Sequence, residues 1–216
     1  MPRIIAATFV SLDGVMQAPG GPEEDPVGGF TLGGWTFHYW DDVMGEAMGE
    51  TFAKPFALLL GRKTYDIFAA HWPYQNDPIG VAFNAATKYV ATHRPDTLTW
   101  QNTKSLGTDI VATLKRIKKE DGPDLLIQGS SNLIQTLLAN DLIDEIKLLI
   151  FPLVLGKGKR LFGDGAMPAA FRLTRSEASS TGVIMATYQR SGEIKVGSFA
   201  PEKPSDAEIE RRKNWK

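Results

Sequence analysis

The stretch FALLLGRKTY, residues 56–65, decides the fold together with a second stretch, LLIQGSSNL, residues 125–133. In each, a short apolar run stops at a glycine, Gly61 or Gly129, and a helix is predicted to begin at once. A glycine there lets a ligand approach the backbone because no Cβ is in the way. The first turn of a helix offers N–H groups without intrahelical partners and partial positive charge, which favours an anion. Two such turns in one chain, one of which carries Arg62 and Lys63, indicate that two phosphate groups bind here. The predicted ligand is therefore a dinucleotide.

The composition is that of an ordinary globular protein, with 43% hydrophobic and 23% charged residues among 216. A formal net charge of −1 gives no global field that would recruit nucleic acid or an acidic membrane. The absence of cysteine excludes disulfides, thiolate zinc sites and a cysteine nucleophile, and three scattered histidines do not suggest a metal site. The apolar stretch Ile4–Val10 is too short for a secretory signal, so a cytoplasmic location is expected.

Hydrophobic periodicity predicts a strand–helix alternation that is followed by consecutive strands. The predicted strands are Ile4–Leu12, Phe56–Leu60, Lys88–Thr92, Thr97–Trp100, Leu125–Gln128, Glu145–Leu155, Arg172–Ala178 and Val183–Gln189. The predicted helices are Val43–Phe52, Lys63–Ala70, Val81–Ala86, Gly107–Glu120 and Ser130–Ala139. This order predicts an α/β fold: a mixed, mostly parallel central sheet with antiparallel edge strands and helices on both faces.

Residues 1–191 are predicted to form a single domain, and residues 192–216 a C-terminal tail. Within the domain, residues 15–34 are rich in glycine and proline and are predicted to be a long loop that serves as a functional lid. Asp164-Gly165 is typical of a turn. In the tail, Ser205-Asp206-Ala207-Glu208 is a capping box, which predicts a short helix.

Five motifs in register resemble those of a known family. They are Ser11-Leu12-Asp13-Gly14-Val15, Gly61-Arg62-Lys63-Thr64-Tyr65, Lys88-Tyr89-Val90-Ala91-Thr92, Gln128-Gly129-Ser130-Ser131-Asn132-Leu133, and Asp144-Glu145-Ile146 leading to residues 152–158. The chain resembles the dihydrofolate-reductase-fold family, and within it the C-terminal reductase domain of the bacterial bifunctional riboflavin-biosynthesis deaminase-reductase. The resemblance covers roughly residues 3 to 190, most of a single domain of ordinary size.

The resemblance implies a dihydrofolate-reductase-like three-layer sandwich that binds NADPH, with an open site between the lid loop and the cofactor. It also implies a homodimer, since relatives are often dimers. By the same resemblance, the Gly129–Ser130 peptide bond is a candidate for the cis form. The sequence departs from the family at Gln128, where the riboflavin reductases usually have a glutamate, and it lacks the deaminase half.

Residues of the first turn, Gly61, Arg62, Lys63 and Thr64, are predicted to bind the 2′-phosphate of NADPH. A site for NAD usually has an acid against the ribose hydroxyl. Here the strand end at Thr92-His93-Arg94 offers another cation instead. The alternative is that Arg62 and Lys63 are simply a solvated helix start.

In the second turn, Gly129, Ser130, Ser131, Asn132 and Leu133 are predicted to hold the pyrophosphate through hydroxyl, amide and backbone donors. The alternative is an ordinary serine N-cap.

The substrate site is predicted where the first strand meets the lid. Its candidate residues are Ser11, Asp13, Trp35, Trp40 and Gln128. The tryptophans belong to an aromatic group that could stack on a flat heterocycle, whereas Asp13 could merely close a turn. No general acid is evident, and the candidates for a catalytic proton donor are Asp42, Asp13 or a bound water.

The sequence therefore predicts an NADPH-dependent oxidoreductase that transfers hydride to a small heterocyclic substrate, resembling 5-amino-6-(5-phosphoribosylamino)uracil reductase of riboflavin biosynthesis. One alternative is a dihydrofolate- or pterin-like reductase. Another is a non-catalytic nucleotide-binding module that kept the fold, and a third is a structural dimer-forming domain.

Overall fold

The computed structural model describes residues 1–163, 166–200 and 203–215. The predicted turn at Asp164-Gly165 lies outside the described residues. The strands are β1 (Ile4–Ser11), β2 (Phe56–Gly61), β3 (Lys88–Ala91), β4 (Thr103–Ser105), β5 (Asp124–Gln128), β6 (Glu145–Phe151), β7 (Phe171–Ala178) and β8 (Ile184–Arg190). The α-helices are α1 (Asp42–Phe52), α2 (Arg62–His71), α3 (Pro78–Ala85), α4 (Ile110–Ile117), α5 (Ser131–Ala139) and α6 (Asp206–Asn214).

The strands form one mixed sheet of eight in the order β4-β3-β2-β5-β1-β6-β8-β7. The pairs from β4 through β6 are parallel, and β8 pairs antiparallel with both β6 and β7. The α/β fold with a mostly parallel sheet and an antiparallel edge is thereby confirmed. Consecutive parallel strands require crossover helices, which cover the sheet and explain its continuous apolar runs.

Helices lie on both faces of the sheet, and each face has its own core. On one face, Leu114 of α4 and Ile134 of α5 pack with Ile4 and Ile127. On the other face, apolar side chains of α2 and α3 pack over Leu58 and Leu60, while Met44 of α1 packs over Phe151. The result is a three-layer arrangement in which α1 and the α2–α3 pair lie at different places on the same face.

The predicted strand Thr97–Trp100 is wrong, and the edge strand is β4 instead. The backbone N–H groups of Thr99 and Trp100 both donate to the Tyr65 hydroxyl at 2.9 Å, so a side chain satisfies them rather than a neighbouring strand. The Trp100 indole is buried and donates to Asn84 Oδ1 at 2.8 Å. An aromatic residue with high strand propensity is therefore held by tertiary hydrogen bonds.

The predicted strand Glu145–Leu155 is also too long, because β6 ends at Phe151. Pro152 follows at once, and proline has no N–H to donate to a ladder.

Residues 15–34 form a packed loop without regular helices or longer strands. Val15, Ala18 and Phe30 are buried against one another. The Gln17 side chain donates to the carbonyl oxygens of Asp25 and Val27 at 2.8 and 2.9 Å, which closes the loop on itself. The loop also bonds the segment after β6, through Met16 and Gln17 to Lys159, and therefore has a defined conformation.

The C-terminal tail contains α6, whose N-cap Ser205 Oγ accepts the Glu208 N–H at 3.3 Å. No residue of α6 is buried. The domain boundary at residue 191 stays a prediction. In the described part of the chain, no helix is both long and apolar enough to cross a membrane.

Candidate active site

The two glycine turns identified in the sequence lie next to each other. Strands β2 and β5 are parallel neighbours in the sheet. Both turns follow the carboxyl ends of these strands and therefore lie at the same end of the sheet. The Gly61 N–H donates to Ser130 Oγ at 2.9 Å, and that hydroxyl donates to Thr64 Oγ1 at 2.9 Å. The two predicted phosphate-binding turns thus form a single hydrogen-bonded unit.

The second turn owes its shape to two consecutive left-handed residues, Gly129 at φ +70° and Ser130 at φ +60°. The predicted cis bond between them is wrong, since no peptide bond among the described residues is cis. A Cβ at position 129 would lie 3.4 Å from Thr64 Oγ1, an ordinary contact, so it is the left-handed φ rather than lack of space that favours glycine there.

Neither helix of this unit has a side-chain cap at its N-terminus. Gly61 caps α2 without a side chain, and the Ser130 hydroxyl, which a simple N-cap would use, is bonded to the first turn instead. The Ser130 hydroxyl therefore does not act as an ordinary N-cap of α5. First-turn N–H groups of helices lack intrahelical acceptors, and here the starts of α2 and α5 both open on one cleft.

The cleft has a volume of about 1230 Å³. It is bounded by β1 at Ala7–Phe9, by the loop segment 16–25, by the first turn at Gly61–Thr64 and by the second turn at Gln128–Leu133. Its remaining wall is aromatic and cationic, and includes Trp40, Phe52, Phe68, His71, Trp72, Phe83, Lys159 and Arg160. A cleft of this size, mostly apolar with a few polar groups, is typical of a small-molecule site.

Arg62 lies at the start of α2 and has several partners. Its guanidinium pairs with Asp66 one turn later, with nitrogen–oxygen distances of 2.9 and 3.0 Å. The same group donates to Thr97 Oγ1 at 2.6 Å and to the Arg94 carbonyl at 3.1 Å. Asp66 is thus an acidic partner of Arg62 that the sequence analysis did not identify. The spacing could have indicated it, because residues four apart on a helix lie next to each other.

The strand end at Thr92-His93-Arg94 lies beside Arg62 but outside the cleft lining. Thr92 is buried, and its hydroxyl accepts the Arg94 N–H at 3.0 Å and an Arg62 N–H at 3.4 Å. His93 and Arg94 are exposed. The three residues form a rim next to the first turn.

Lys63 points away from that rim, toward the glycine- and proline-rich loop. Its Nζ lies 3.3 Å from Asp25 Oδ1, and Lys159 bonds the other oxygen of the same carboxylate. Burial raises the pKa of Asp25, but hydrogen bonds and charge from Lys159 and Lys63 outweigh it, so that the pKa lies below its usual value. One buried carboxylate therefore joins the loop to α2 and to the segment after β6.

Replacing Asp25 with asparagine is expected to destabilise the protein by about 1–2 kcal/mol, because two partly exposed lysines would lose their shared buried anion. Since the pKa of Asp25 is lowered, its contribution is present at neutral pH and is lost as the pH falls through the folded-state value. Urea denaturation at pH 7 measures the change, and limited proteolysis of residues 15–34 reports opening of the loop. Glu23→Gln, an exposed neighbour, is the control. Equal urea midpoints for Asp25→Asn and Glu23→Gln would contradict this role.

Asp13 and Ser11 are away from the cleft lining and stabilise a turn. Asp13 accepts from Ser11 Oγ at 2.6 Å and from the N–H groups of Leu155 and Gly156 at 3.0 and 2.9 Å. The hydrogen bond from Ser11 is the main reason that the pKa of Asp13 is lowered. An ionised carboxylate with all these donors is a poor proton donor, so the geometry favours the turn interpretation of Asp13.

The second candidate proton donor, Asp42, is exposed on α1 and does not line the cleft. Its neighbour Asp41 is the N-cap of α1 and accepts the N–H groups of Met44 at 3.0 Å and Ser180 at 2.9 Å. Position and exposure do not favour Asp42 as a catalytic acid.

The two candidate tryptophans separate in the structure. Trp35 packs edge-on against Phe151 and donates to the Gln17 carbonyl at 2.8 Å, so it belongs to the core and loop. Trp40 lines the cleft beside Phe9, with 6.1 Å between the ring centroids. Of the two, only Trp40 is in place to contact a flat substrate.

Gln128 lines the cleft, and its Nε2 is buried without a hydrogen-bond partner among the described residues. Buried amide nitrogens are nearly always bonded, so an acceptor atom of a ligand in the cleft would satisfy this group. Glu24 is a further cleft residue, which the sequence reasoning missed. Burial raises the pKa of Glu24, while its Oε2 accepts the Gly20 N–H at 2.6 Å.

Comparison with known proteins gives a family and a set of structural neighbours. The model of the RibD C-terminal domain family matches residues 2–185. The uncharacterized protein YyaP of Bacillus subtilis (strain 168) is 27% identical over 199 residues, which are 88% of this chain and 96% of that protein.

Two solved structures share the fold. The first is a Thermotoga maritima diaminohydroxyphosphoribosylaminopyrimidine deaminase/5-amino-6-(5-phosphoribosylamino)uracil reductase, at 14% identity and a TM-score of 0.56 over 88% of this chain and 57% of that one. The second is Enterococcus faecalis dihydrofolate reductase complexed with NADP(H), at 16% identity and a TM-score of 0.55 over 87% and 96%. Both similarities confirm the dihydrofolate-reductase-like fold.

Proposed function

The chain belongs to the RibD C-terminal domain family, and from that premise we propose that it is an NADPH-dependent reductase of a small heterocyclic substrate. The observation that carries the proposal is the junction of the two glycine turns at one large cleft. Family membership and the reductase-like neighbours support a reductase-type function. The choice of NADPH and the class of substrate are our inferences.

The residues of the cleft fit a dinucleotide. Two uncapped helix starts open on it, and glycines at positions 61 and 129 keep both turns free of a Cβ. In the proposal, the N–H groups of Ser131, Asn132 and Leu133 hold the pyrophosphate, because a helix start favours an anion. Bound reduced nicotinamide would supply the hydride, and the protein would contribute its orientation and the exclusion of water.

Arg62 is the residue that favours NADPH over NADH. It lies at a helix start with Thr92 and Arg94 beside it, and a guanidinium binds phosphate oxygens in a fixed, forked geometry. Both cations have an acidic partner, Asp66 for Arg62 and Asp25 for Lys63, but only Arg62 lies beside the rim, whereas Lys63 points to the loop. The 2′-phosphate site therefore consists of Arg62 and the rim at residues 92–94.

For the proton that accompanies reduction, Glu24 is the candidate from the chain itself. It lines the cleft, and its raised pKa increases the protonated fraction near neutral pH. Glu24 therefore replaces Asp13 and Asp42 as the candidate acid in this proposal.

The alternative of a dihydrofolate- or pterin-like reductase is less well supported. Proteins resembling dihydrofolate reductases orient the pterin with a carboxylate on the first helix, and Asp42, one of the nearest acids here, is exposed and outside the cleft lining. A non-catalytic nucleotide-binding module is the second candidate, and Gln128 in place of the usual glutamate is the observation that favours it.

We expect NADPH to quench the protein's tryptophan fluorescence, because Trp40 and Trp72 line the cleft. NADH is expected to bind at least about tenfold more weakly, since it lacks the charged ester that Arg62 would bind. Titration with both coenzymes measures the two affinities, and no quenching by NADPH at millimolar concentration would exclude the cofactor assignment.

Steady-state oxidation of NADPH with a panel of pyrimidinediones and pterins then distinguishes enzyme from binding module. Turnover with a member of the panel supports the reductase, whereas tight NADPH binding without turnover supports the module. The homodimer and the cytoplasmic location stay predictions.

A further inference from the structure

A small chamber of about 60 Å³ adjoins the cleft, between α1 and the sheet. The chamber and the cleft share Ala7, Phe9, Met48 and Gln128 in their linings. Its volume is enough for the edge of a ring or a few waters, and too small for a whole heterocycle. Any ring bound in the cleft over Ala7 could therefore place one edge in this chamber.

The floor of the chamber is one row of residues across neighbouring strands. Ala7 of β1 is in register with Gln128 of β5 on one side and with Lys147 of β6 on the other. Residues in register on parallel strands point to the same face of a sheet, and strands are about 4.8 Å apart. Because the middle residue is alanine, the two long polar side chains flank an open gap.

Lys147 brings an uncommitted cation to this gap. Among the described residues it has no ion pair, and its hydrogen bond is to Thr51 Oγ1 at 3.3 Å. The nearby acids are engaged elsewhere: Glu50 pairs with Arg175 at 2.5 Å, and Glu145 pairs with Arg3 at 3.2 Å. Burial lowers the pKa of Lys147, consistent with a position inside the pocket and away from bulk water.

Gln128 supplies the second donor, since its Nε2 is buried and has no partner in the part of the chain that the structure describes. The remaining acid of the lining, Glu177, is bonded to Arg175 at 3.1 Å. Among the described residues, the chamber thus offers an ammonium without an ion pair and an amide N–H without a partner, while its carboxylates are paired with Arg175. A ligand edge with acceptor oxygens would satisfy both donors, whereas an amine edge would meet a cation and an amide N–H group.

We propose that Lys147 and Gln128 are a donor pair that binds a ring carbonyl or enolate oxygen of the substrate in this chamber. The inference rests on the proposed function, because it takes the adjoining cleft as the reductase site. It assigns substrate recognition to two residues on the strands that flank β1, one of which, Lys147, has no motif in the sequence. It also predicts selection of oxo-substituted rings over amino-substituted ones.

The test measures binding of 5-fluorouracil, a ring with two carbonyl oxygens, by fluorine-19 NMR line broadening in the presence of saturating NADPH. Lys147→Met keeps most of the side-chain length and removes the charge. It is expected to weaken 5-fluorouracil binding by about tenfold, the loss of one charge-assisted hydrogen bond. Gln128→Leu is expected to weaken it by several-fold, and 2,4-diaminopyrimidine should not compete.

Lys115→Met is the matched control, because Lys115 is an exposed lysine on α4, at the opposite face of the sheet. It should leave 5-fluorouracil binding unchanged, and circular dichroism melting should show that the variants are folded. NADPH affinity, read from tryptophan quenching, should be the same in Lys147→Met and the original protein.

Two results would overturn the inference while leaving the reductase proposal in place. One is NADPH binding without any 5-fluorouracil binding by the original protein, and the other is equal 5-fluorouracil affinity in folded Lys147→Met. Failure of NADPH to bind would instead count against the proposed function, which the quenching titration shows separately.

Discussion

Replacing Arg62 with alanine is expected to weaken NADPH binding by about ten- to hundredfold, the range of one charge-assisted contact of 1.5–3 kcal/mol. NADH binding should change by less than about threefold, because the guanidinium is proposed to contact only the 2′-phosphate. The ratio of the two dissociation constants, measured by tryptophan quenching, should therefore fall toward one. Arg62 is favoured over Lys63 for this role because Arg62 lies beside Thr92 and Arg94, whereas the Lys63 ammonium is directed to the loop at Asp25.

Two controls separate ligand binding from loop structure. Arg62 also donates to Thr97 Oγ1 at 2.6 Å, so Thr97→Val removes a loop contact and leaves the cation in place. Lys63→Met removes a cation one residue away that points to Asp25. Both should retain the preference for NADPH. A preference that survives in Arg62→Ala but disappears in Lys63→Met would reverse the assignment.

Lys88 is expected to make the protein more stable as the pH rises from about 8 to 10.5. Its side chain is fully buried at the start of β3, where burial lowers the pKa from 10.5 to about 8. Nζ donates to the carbonyl oxygens of Asn84 and Gln101 at 2.8 and 3.1 Å. A neutral amine has two N–H donors, so it can make both bonds without a buried charge.

The sign follows from proton binding. Between the folded and unfolded pKa values, the unfolded chain binds more protons at this lysine, so the free energy of unfolding rises with pH. At 1.36 kcal/mol for each pH unit of difference, the full effect is roughly 3 kcal/mol. Below pH 8 the folded state carries the whole penalty of a buried ammonium.

The measurement compares urea denaturation of the original protein and Lys88→Met at several pH values from 7 to 10.5. Titrations of other groups cancel in the difference between the two proteins, which should grow in favour of Lys88 as the pH rises. Lys104→Met, at an exposed lysine on β4, should show no such trend. A difference that is constant over the whole pH range would show that Lys88 keeps an ordinary pKa.

The strand ends and helix starts of the site could be predicted because their signals are local. Gly61 and Gly129 each follow a short apolar run, and the helices α2 and α5 begin directly after these turns, close to the predicted bounds. Even the wrong strand at Thr97–Trp100 has a local cause, a tryptophan with high strand propensity. The observed conformation instead depends on a hydrogen bond to the Tyr65 hydroxyl, which is 34 residues away from Thr99 in the sequence.

The surroundings of the candidate side chains could not be predicted from the sequence, because burial and pairing decide them. Asp13 has the residue type of a proton donor, yet the N–H groups of Leu155 and Gly156 hold it as a turn carboxylate. Glu24 and Asp25 are neighbours in one loop with opposite pKa shifts. Two lysines from distant segments bind one of them, and no local pattern distinguishes the two.

The sequence by itself determined the order of strands and helices, the two glycine turns and the family, because propensity, periodicity and turn chemistry act over a few neighbouring residues. Only the tertiary structure decided that the Ser130 hydroxyl bonds both turns and that the Lys63 ammonium pairs with Asp25 of the loop. It also decided that Lys147 and Gln128 lie on either side of Ala7 in one row of the sheet. Those contacts join residues far apart in the chain. They depend on strand order and register, which hydrophobic burial over the whole sheet selects.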